Sequence, residues 1–234
     1  MKTNKKLLKR ISNKICGKLI LIAISLSIAG CMTTNNINNK DKTTIRMSSF
    51  SFFAGPSIGG IIDNTETDAV SGATKIKYNA GLHSEINIKR YFIETGLDYI
   101  TFDQTCTYMD TVCEFDGTRN FSFQQLRLPL TCNFHFFKNA NNKPLLILKL
   151  GLSVGYIFSI KIIDNGTLPS YIMETWDFGP GLGLSIHPIT ISNKFDLGLY
   201  YDLYRGRRVY RDYYNIEMGN LSFMKFGLGL RFNN

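Results

Sequence analysis

Eight stretches of this chain alternate, residue by residue, between large apolar side chains and a mixture of glycine and charge. The last, residues 221–232, is the clearest. Met224, Phe226, Leu228, Leu230 and Phe232 fall on one face, and Lys225, Gly227, Gly229 and Arg231 on the other. A period of two over this length is a strand. Seven earlier stretches repeat the scheme: residues 48–60, 75–88, 91–105, 121–136, 145–161, 176–189 and 194–204. Each reaches or exceeds the roughly 9–11 residues that a tilted strand needs to cross a bilayer's hydrocarbon layer. No helical periodicity of useful length accompanies them.

The sorting of charge between the two faces decides the class. No Asp, Glu, Lys or Arg falls on the apolar face within the central band. The strand-centre charges all take the opposite face: Lys77, Glu85, Glu94, Asp98, Arg127, Lys149, Asp177, Asp196, Asp202, Lys225 and Arg231. His83, His135 and His187 fall there too. A Lys or Arg facing lipid at mid-depth costs about 2–4 kcal/mol, so a bilayer enforces this sorting. A soluble barrel with an apolar lumen requires the reverse and fails the same test. The expected fold is all-β, an eight-stranded antiparallel up-and-down transmembrane β-barrel spanning residues 48–232.

Connection lengths agree with that architecture. Links after the second, fourth and sixth strands are short (89–90, 138–143 and around 192–193), and the other links run about 10–15 residues. An even strand number leaves both termini at one end, expected to be periplasmic. Pro56, Pro129 and Pro180 lie inside strands of a barrel that has no edge, so bulges or missing ladder bonds are expected beside them. An eight-stranded barrel is just wide enough for side chains to fill. Six inward acids face five inward bases, so the lumen is expected to be closed, polar and internally paired. Arg127 and Arg231 should anchor bridges to carboxylates on other strands, with inward glycines such as Gly151, Gly155, Gly181, Gly183, Gly227 and Gly229 leaving room.

The N-terminal part has a different character. The chain has 27 Lys and Arg against 18 Asp and Glu, a formal charge of +9. Seven of the bases and none of the acids lie in residues 1–31. The remainder is close to neutral, so basicity marks a targeting segment and no nucleic-acid surface. Residues 19–29 are an apolar run too short to span a bilayer as a helix but suited to a signal peptide over residues 1–30. Residues 31–47, rich in Asn and Thr, read as a flexible tether.

Three motifs carry resemblances. Ile28-Ala29-Gly30-Cys31 resembles a lipoprotein cleavage box, which implies lipidation of Cys31. Lys225, Gly227, Leu230 and Phe232 are spaced as in the C-terminal insertion signal of bacterial outer-membrane barrels, although Leu230 stands where an aromatic is usual. The run Phe123-Gln-Gln-Leu-Arg-Leu-Pro129-Leu-Thr, with Asp177-Phe-Gly-Pro-Gly-Leu-Gly-Leu and the closing Gly227-Leu-Gly-Leu-Arg-Phe, resembles the PorT-like outer-membrane β-barrel family. That resemblance covers about residues 48–232. It implies a bacterial outer-membrane location, outer-membrane lipid and lipopolysaccharide as surroundings, and barrel-assembly machinery as the partner during insertion. The family's link to protein secretion offers an accessory role in a secretion or assembly machine as one alternative.

Few residues point to chemistry. Cys106 and Cys113 bracket an expected loop tip, and an exported compartment permits a disulfide between them. Arg205, Arg207, Arg208, Tyr210, Arg211, Tyr213 and Tyr214 form an expected extracellular loop suited to phosphate or ligand contact, since Arg binds phosphate bidentately and Tyr adds amphipathic area. The adjacent His83 and Ser84 point to opposite faces of a strand and cannot form a nucleophile–base pair. No catalytic residue, metal site, cofactor or nucleic-acid partner is expected. The chain reads as a non-enzymatic barrel with an envelope-structural or loop-mediated binding role, with a lipid-modifying barrel enzyme as the further alternative. Mass spectrometry of the mature N-terminus should find diacylglyceryl-cysteine at position 31; an unmodified Cys31 or a free N-terminus at Met32 would end the lipidation reading.

Overall fold

A computed structural model describes residues 45–63, 70–88, 91–110, 115–139, 143–168, 170–192, 194–212 and 218–233. The expected signal peptide, Cys31, Cys113, Tyr213 and Tyr214 lie outside these residues, as does the tether up to residue 44. Ten strands follow in order: β1 (Ile45–Asp63), β2 (Val70–Lys75), β3 (Lys77–Ile88), β4 (Tyr91–Asp110), β5 (Phe115–Lys138), β6 (Pro144–Thr167), β7 (Tyr171–Met173), β8 (Trp176–Ser192), β9 (Phe195–Asp212) and β10 (Met218–Asn233). Eight of them close an antiparallel ring in the order β1, β3, β4, β5, β6, β8, β9, β10, with β10 pairing back onto β1. The chain is thus an eight-stranded up-and-down transmembrane barrel. β2 and β7 are short additions that pair only with β4 and β9.

Ile45, Asn233 and the β3–β4, β5–β6 and β8–β9 connections lie at one end, called here the terminal end; the opposite end is the loop end. Each expected proline defect is present on one side of its strand. The β1–β10 ladder passes from Ala54↔Leu228 to Ser57↔Lys225 without pairing Pro56. The β4–β5 ladder likewise skips from Thr95↔Leu130 to Asp98↔Arg127 beside Pro129. Pairing of β8 with β9 begins at Gly181, one residue past Pro180.

Across the membrane band the outward face is apolar and exposed, with Leu130, Phe134 and Phe136 on β5 and Leu150, Leu152 and Val154 on β6 among its members. Aromatic side chains mark both rims, as girdles do in such barrels. Phe50, Phe52, Phe195 and Phe232 pack together toward the terminal end. Tyr78, Tyr99 and Phe158 approach one another toward the loop end, beside the Tyr156–Trp176 pair.

Beyond that second girdle the strands continue, and their pattern inverts. On β5, Asp116, Thr118, Asn120, Ser122 and Gln124 now alternate with the buried Arg119, Phe121 and Phe123. On β4, Asp103, Thr105 and Thr107 alternate with the buried Phe102, Cys106 and Tyr108. Water has replaced lipid outside, so polar groups turn out and apolar groups turn in. A register shift at Gln124/Gln125 in the β5–β6 ladder accompanies the change and turns Ile160 and Ile162 toward the core.

This part corrects two expectations. The long links are mostly strand: β4 runs to Asp110 and β5 starts at Phe115, so Cys106 is a buried strand residue and not part of a loop tip. The lumen is also not polar throughout. Its loop half is an apolar cluster containing Ile100, Phe102, Phe121, Phe123, Val209, Leu221 and Phe223.

The strands that enclose this cluster divide into two sheets. One contains β2, β4, β5 and β6, and the other β7, β9, β10 and β1. Their inner faces meet as in a sandwich: Phe102 stacks on Phe223 with ring centres 6.4 Å apart, and Phe121 meets Tyr210 edge to face at 5.4 Å. Truncating a buried aromatic side chain of this kind costs about 3–5 kcal/mol. Phe123→Ala should lower barrel stability by that order in urea unfolding from lipid vesicles, whereas Phe134→Ala on the lipid-facing side should cost clearly less.

Candidate functional site

The terminal half of the lumen holds the expected charges, arranged in layers. Nearest the terminal end, Arg231 donates from Nη2 to Glu85 Oε1 at 2.7 Å, and His135 Nε2 lies 2.9 Å from Glu85 Oε2. Asn133 donates to both Glu85 and Glu94 (2.6 and 3.1 Å) and so ties this layer to the next. Lys149 donates to Glu94 Oε1 at 2.7 Å, and Lys225 bridges Asp98 and Asp202 at 2.5 and 3.2 Å. Between these layers stands His83, with Nδ1 2.7 Å from Glu94 and Nε2 2.8 Å from Asp98. Both contacts can be hydrogen bonds together only if each ring nitrogen carries a proton or one carboxyl does. Neither nitrogen is left for Ser84.

Arg127 forms the last polar layer. Its Nη1 donates to Asp177 Oδ2 at 2.8 Å and its Nη2 to Ser153 Oγ at 2.8 Å. The guanidinium lies 3.5 Å from the centre of the Tyr204 ring and 5.1 Å from that of Phe223. Tyr204 also donates its hydroxyl to Asp177 at 2.8 Å. Arg127 therefore faces carboxylate on one side and the aromatic cluster on the other, which a planar guanidinium can do and an ammonium cannot do as well. Gly155 makes the approach feasible, because a Cβ there would stand 2.2 Å from Gln125 Nε2 and 2.7 Å from Arg127 Nη1.

Ten of the eleven expected lumenal charges thus lie inside, but Lys77 does not join them. It begins β3, is about one-third exposed, and bridges Asp103 at 2.8 Å near the loop-end girdle. The inward alternation is not carried past the start of that strand. Asp196 is held by Lys143 and Asn233 at the terminal rim (3.0 and 2.5 Å), partners that strand alternation does not reveal. Of the expected roomy glycines, Gly155 and Gly183 do border charged side chains, whereas a Cβ at Gly151 or Gly227 would strike a neighbouring strand's backbone.

The Arg-Tyr segment also changes role. β9 continues through Asp212, so Arg205, Arg207, Arg208, Tyr210 and Arg211 are strand residues and not a loop. Arg205 and Arg207 are exposed, and Arg207 pairs with Glu174. Tyr210 is buried and belongs to a cluster invisible in the sequence. There Arg119, 1% exposed, binds Asp164 through two nitrogens (2.7 and 2.8 Å) and donates to the Tyr210 hydroxyl at 2.5 Å. The Arg119 guanidinium also lies 4.5 Å from the Tyr171 ring centre. Two small voids border the charged layers: one of about 50 Å³ beside His83, Asp98 and Arg127, and one of about 20 Å³ beside His187 and Arg231. Each has room for water. Among the described residues, no cluster of His, Cys, Asp or Glu is arranged to hold a metal ion.

Removing one member of a buried ion pair costs about 3–5 kcal/mol, because the partner charge is left uncompensated. Arg127→Ala should destabilise the barrel by that order in urea, and adding Asp177→Asn to it should recover a measurable part. An Arg127→Ala change costing no more than a surface substitution would show that this pair is not coupled to folding.

A family model agrees with this architecture. The model of the outer membrane protein beta-barrel domain matches residues 34–206. No curated protein matches the chain. Among solved structures, the outer membrane protein OprG from Pseudomonas aeruginosa is similar over 80% of this chain and 97% of its own, with 10% identity and a TM-score of 0.47. Ail, the attachment invasion locus protein of Yersinia pestis, is similar over 80% of this chain and 99% of its own, with 12% identity and a TM-score of 0.40. With a family model matching most of its length, and with a closed ring of eight strands bearing an apolar outer belt, the chain belongs to the outer membrane protein β-barrel domain family.

Proposed function

We propose that this protein is a closed, non-enzymatic outer-membrane barrel of the PorT-like kind, whose working surface is its loop end and not its lumen. The observation that carries this reading is the filling of the interior from end to end. Ion pairs occupy the membrane-level half, and an aromatic cluster seals the half beyond it. The two voids beside the charged layers are small, about 50 and 20 Å³, which is room for a few water molecules. A diffusion pore would need a continuous aqueous path, and a barrel enzyme would need a cavity for its substrate. What remains available is the surface that the strands carry beyond the membrane. In this reading the terminal end faces the periplasm and a lipidated Cys31 anchors the tether in the adjoining leaflet.

Planar-bilayer recordings of the purified protein test the closed lumen. No steady ohmic conductance should appear for the wild type. A stable, ion-selective open channel would overturn the reading and move the function toward diffusion of small solutes.

A further inference from the structure

The two sheets at the loop end leave two seams, and the seams differ. At the first, β1 stops pairing with β3 at Ser57↔Lys77. Side-chain bonds to β4 then satisfy its edge: Gln104 of β4 bonds both N and O of Ile61 (2.6 and 2.7 Å), and Ser57 of β1 donates to the Thr101 carbonyl at 2.7 Å. At the second, β6 stops pairing with β8 at Tyr156↔Trp176, and Ile157 N to Thr175 O, at 2.7 Å, is the last backbone bond across. From Ser159 to Thr167, among the described residues, β6 pairs with β5 alone. Among the described residues no backbone or side-chain hydrogen bond from another strand meets its other edge, and β7 turns its own bonds toward β9. An uncovered strand edge is a template for another strand.

We propose that the β6 edge over residues 158–165 is a docking site for an extended peptide segment of another protein, bound by β-strand addition at the loop end. The inward side chains Ile160 and Ile162 are only partly buried against the apolar cluster, so an added strand would cover them with alternate apolar residues. On the outer face Lys161 is exposed, as is Ile163 at 45%. The matching strand therefore carries an acidic residue opposite Lys161 and an apolar one near Ile163. Other occupants fit less well. The chain's own N-terminal segment leaves from the terminal end at Ile45. A second copy in the same membrane points the same way, so two β6 edges would meet in parallel with inner and outer faces exchanged. The proposal deepens the loop-end reading and rests on it, but conductance reads the lumen whereas its own test reads the edge.

The test is amide hydrogen exchange of the full-length protein in phospholipid nanodiscs, with and without a synthetic decapeptide alternating Val with Thr in which one central Thr is replaced by Glu and the next Thr on the same face by Val. In the free protein the open-side amides of residues 159–165 should exchange far faster than those in the centre of β5. Peptide at about 100 times its Kd should slow them by about 100-fold. The same peptide N-methylated along its bonding edge should protect nothing. Lys161→Glu should weaken the Glu peptide by about 2–5-fold, the range of an exposed ion pair, and favour its Lys counterpart. Slow exchange of these amides in the free protein would overturn the proposal, as would equal protection by the N-methylated peptide. So would an absence of protection at millimolar peptide.

Discussion

Charge that cannot face lipid must be neutralised in a tube with room for little besides side chains, and the rest of the structure follows from that constraint. An eight-stranded barrel has no aqueous channel in which an unpaired carboxylate could be hydrated. Glu85, Glu94, Asp98 and Asp177 are accordingly each met by a cation from a different strand: Arg231, Lys149, Lys225 and Arg127. Because each bridge skips one or two intervening strands of the ring, it also ties non-adjacent parts of the wall together. His83 joins two carboxylates that would otherwise repel, and it does so from the same interior position that hydrophobic alternation assigns it.

The upper limit of this polar network is set by Arg127. Its guanidinium is bonded to Asp177 and lies against the face of Tyr204, so it ends the ionic layers and begins the aromatic one. From there outward the same strands serve a second solvent. With water outside, polar residues can turn outward at no solvation cost and apolar residues gain by turning in. A closed ring is no longer needed to hide backbone groups from hydrocarbon. The wall accordingly parts into two facing sheets, and among the described residues the outer part of β6 pairs on one side only.

Several features were legible in the sequence for a local reason. Strand alternation puts side chains of one parity on one face whatever their partners, so Arg127, Lys225 and Arg231 could be placed inside the lumen from position alone. The prolines announced missing ladder bonds because their lack of a donor is a property of the residue. The aromatic cluster was harder to read. Phe121 and Phe123 share a parity with Arg127, and only the change of solvent along β5 explains why one strand carries both kinds of inward residue. Arg119 and Tyr210 looked like loop residues because nothing local marks a strand that continues past the membrane.

The sequence by itself determined the class, the membrane-spanning bands and which side chains turn inward, because lipid penalises charge at each position independently. Only the tertiary structure decided which charge meets which, since pairing between non-adjacent strands depends on the register and tilt of segments far apart in the chain. The same holds for the division of the loop end into two sheets. Whether a strand edge is covered, as Gln104 covers β1, or open, as on β6, depends on what its neighbours bring across the gap.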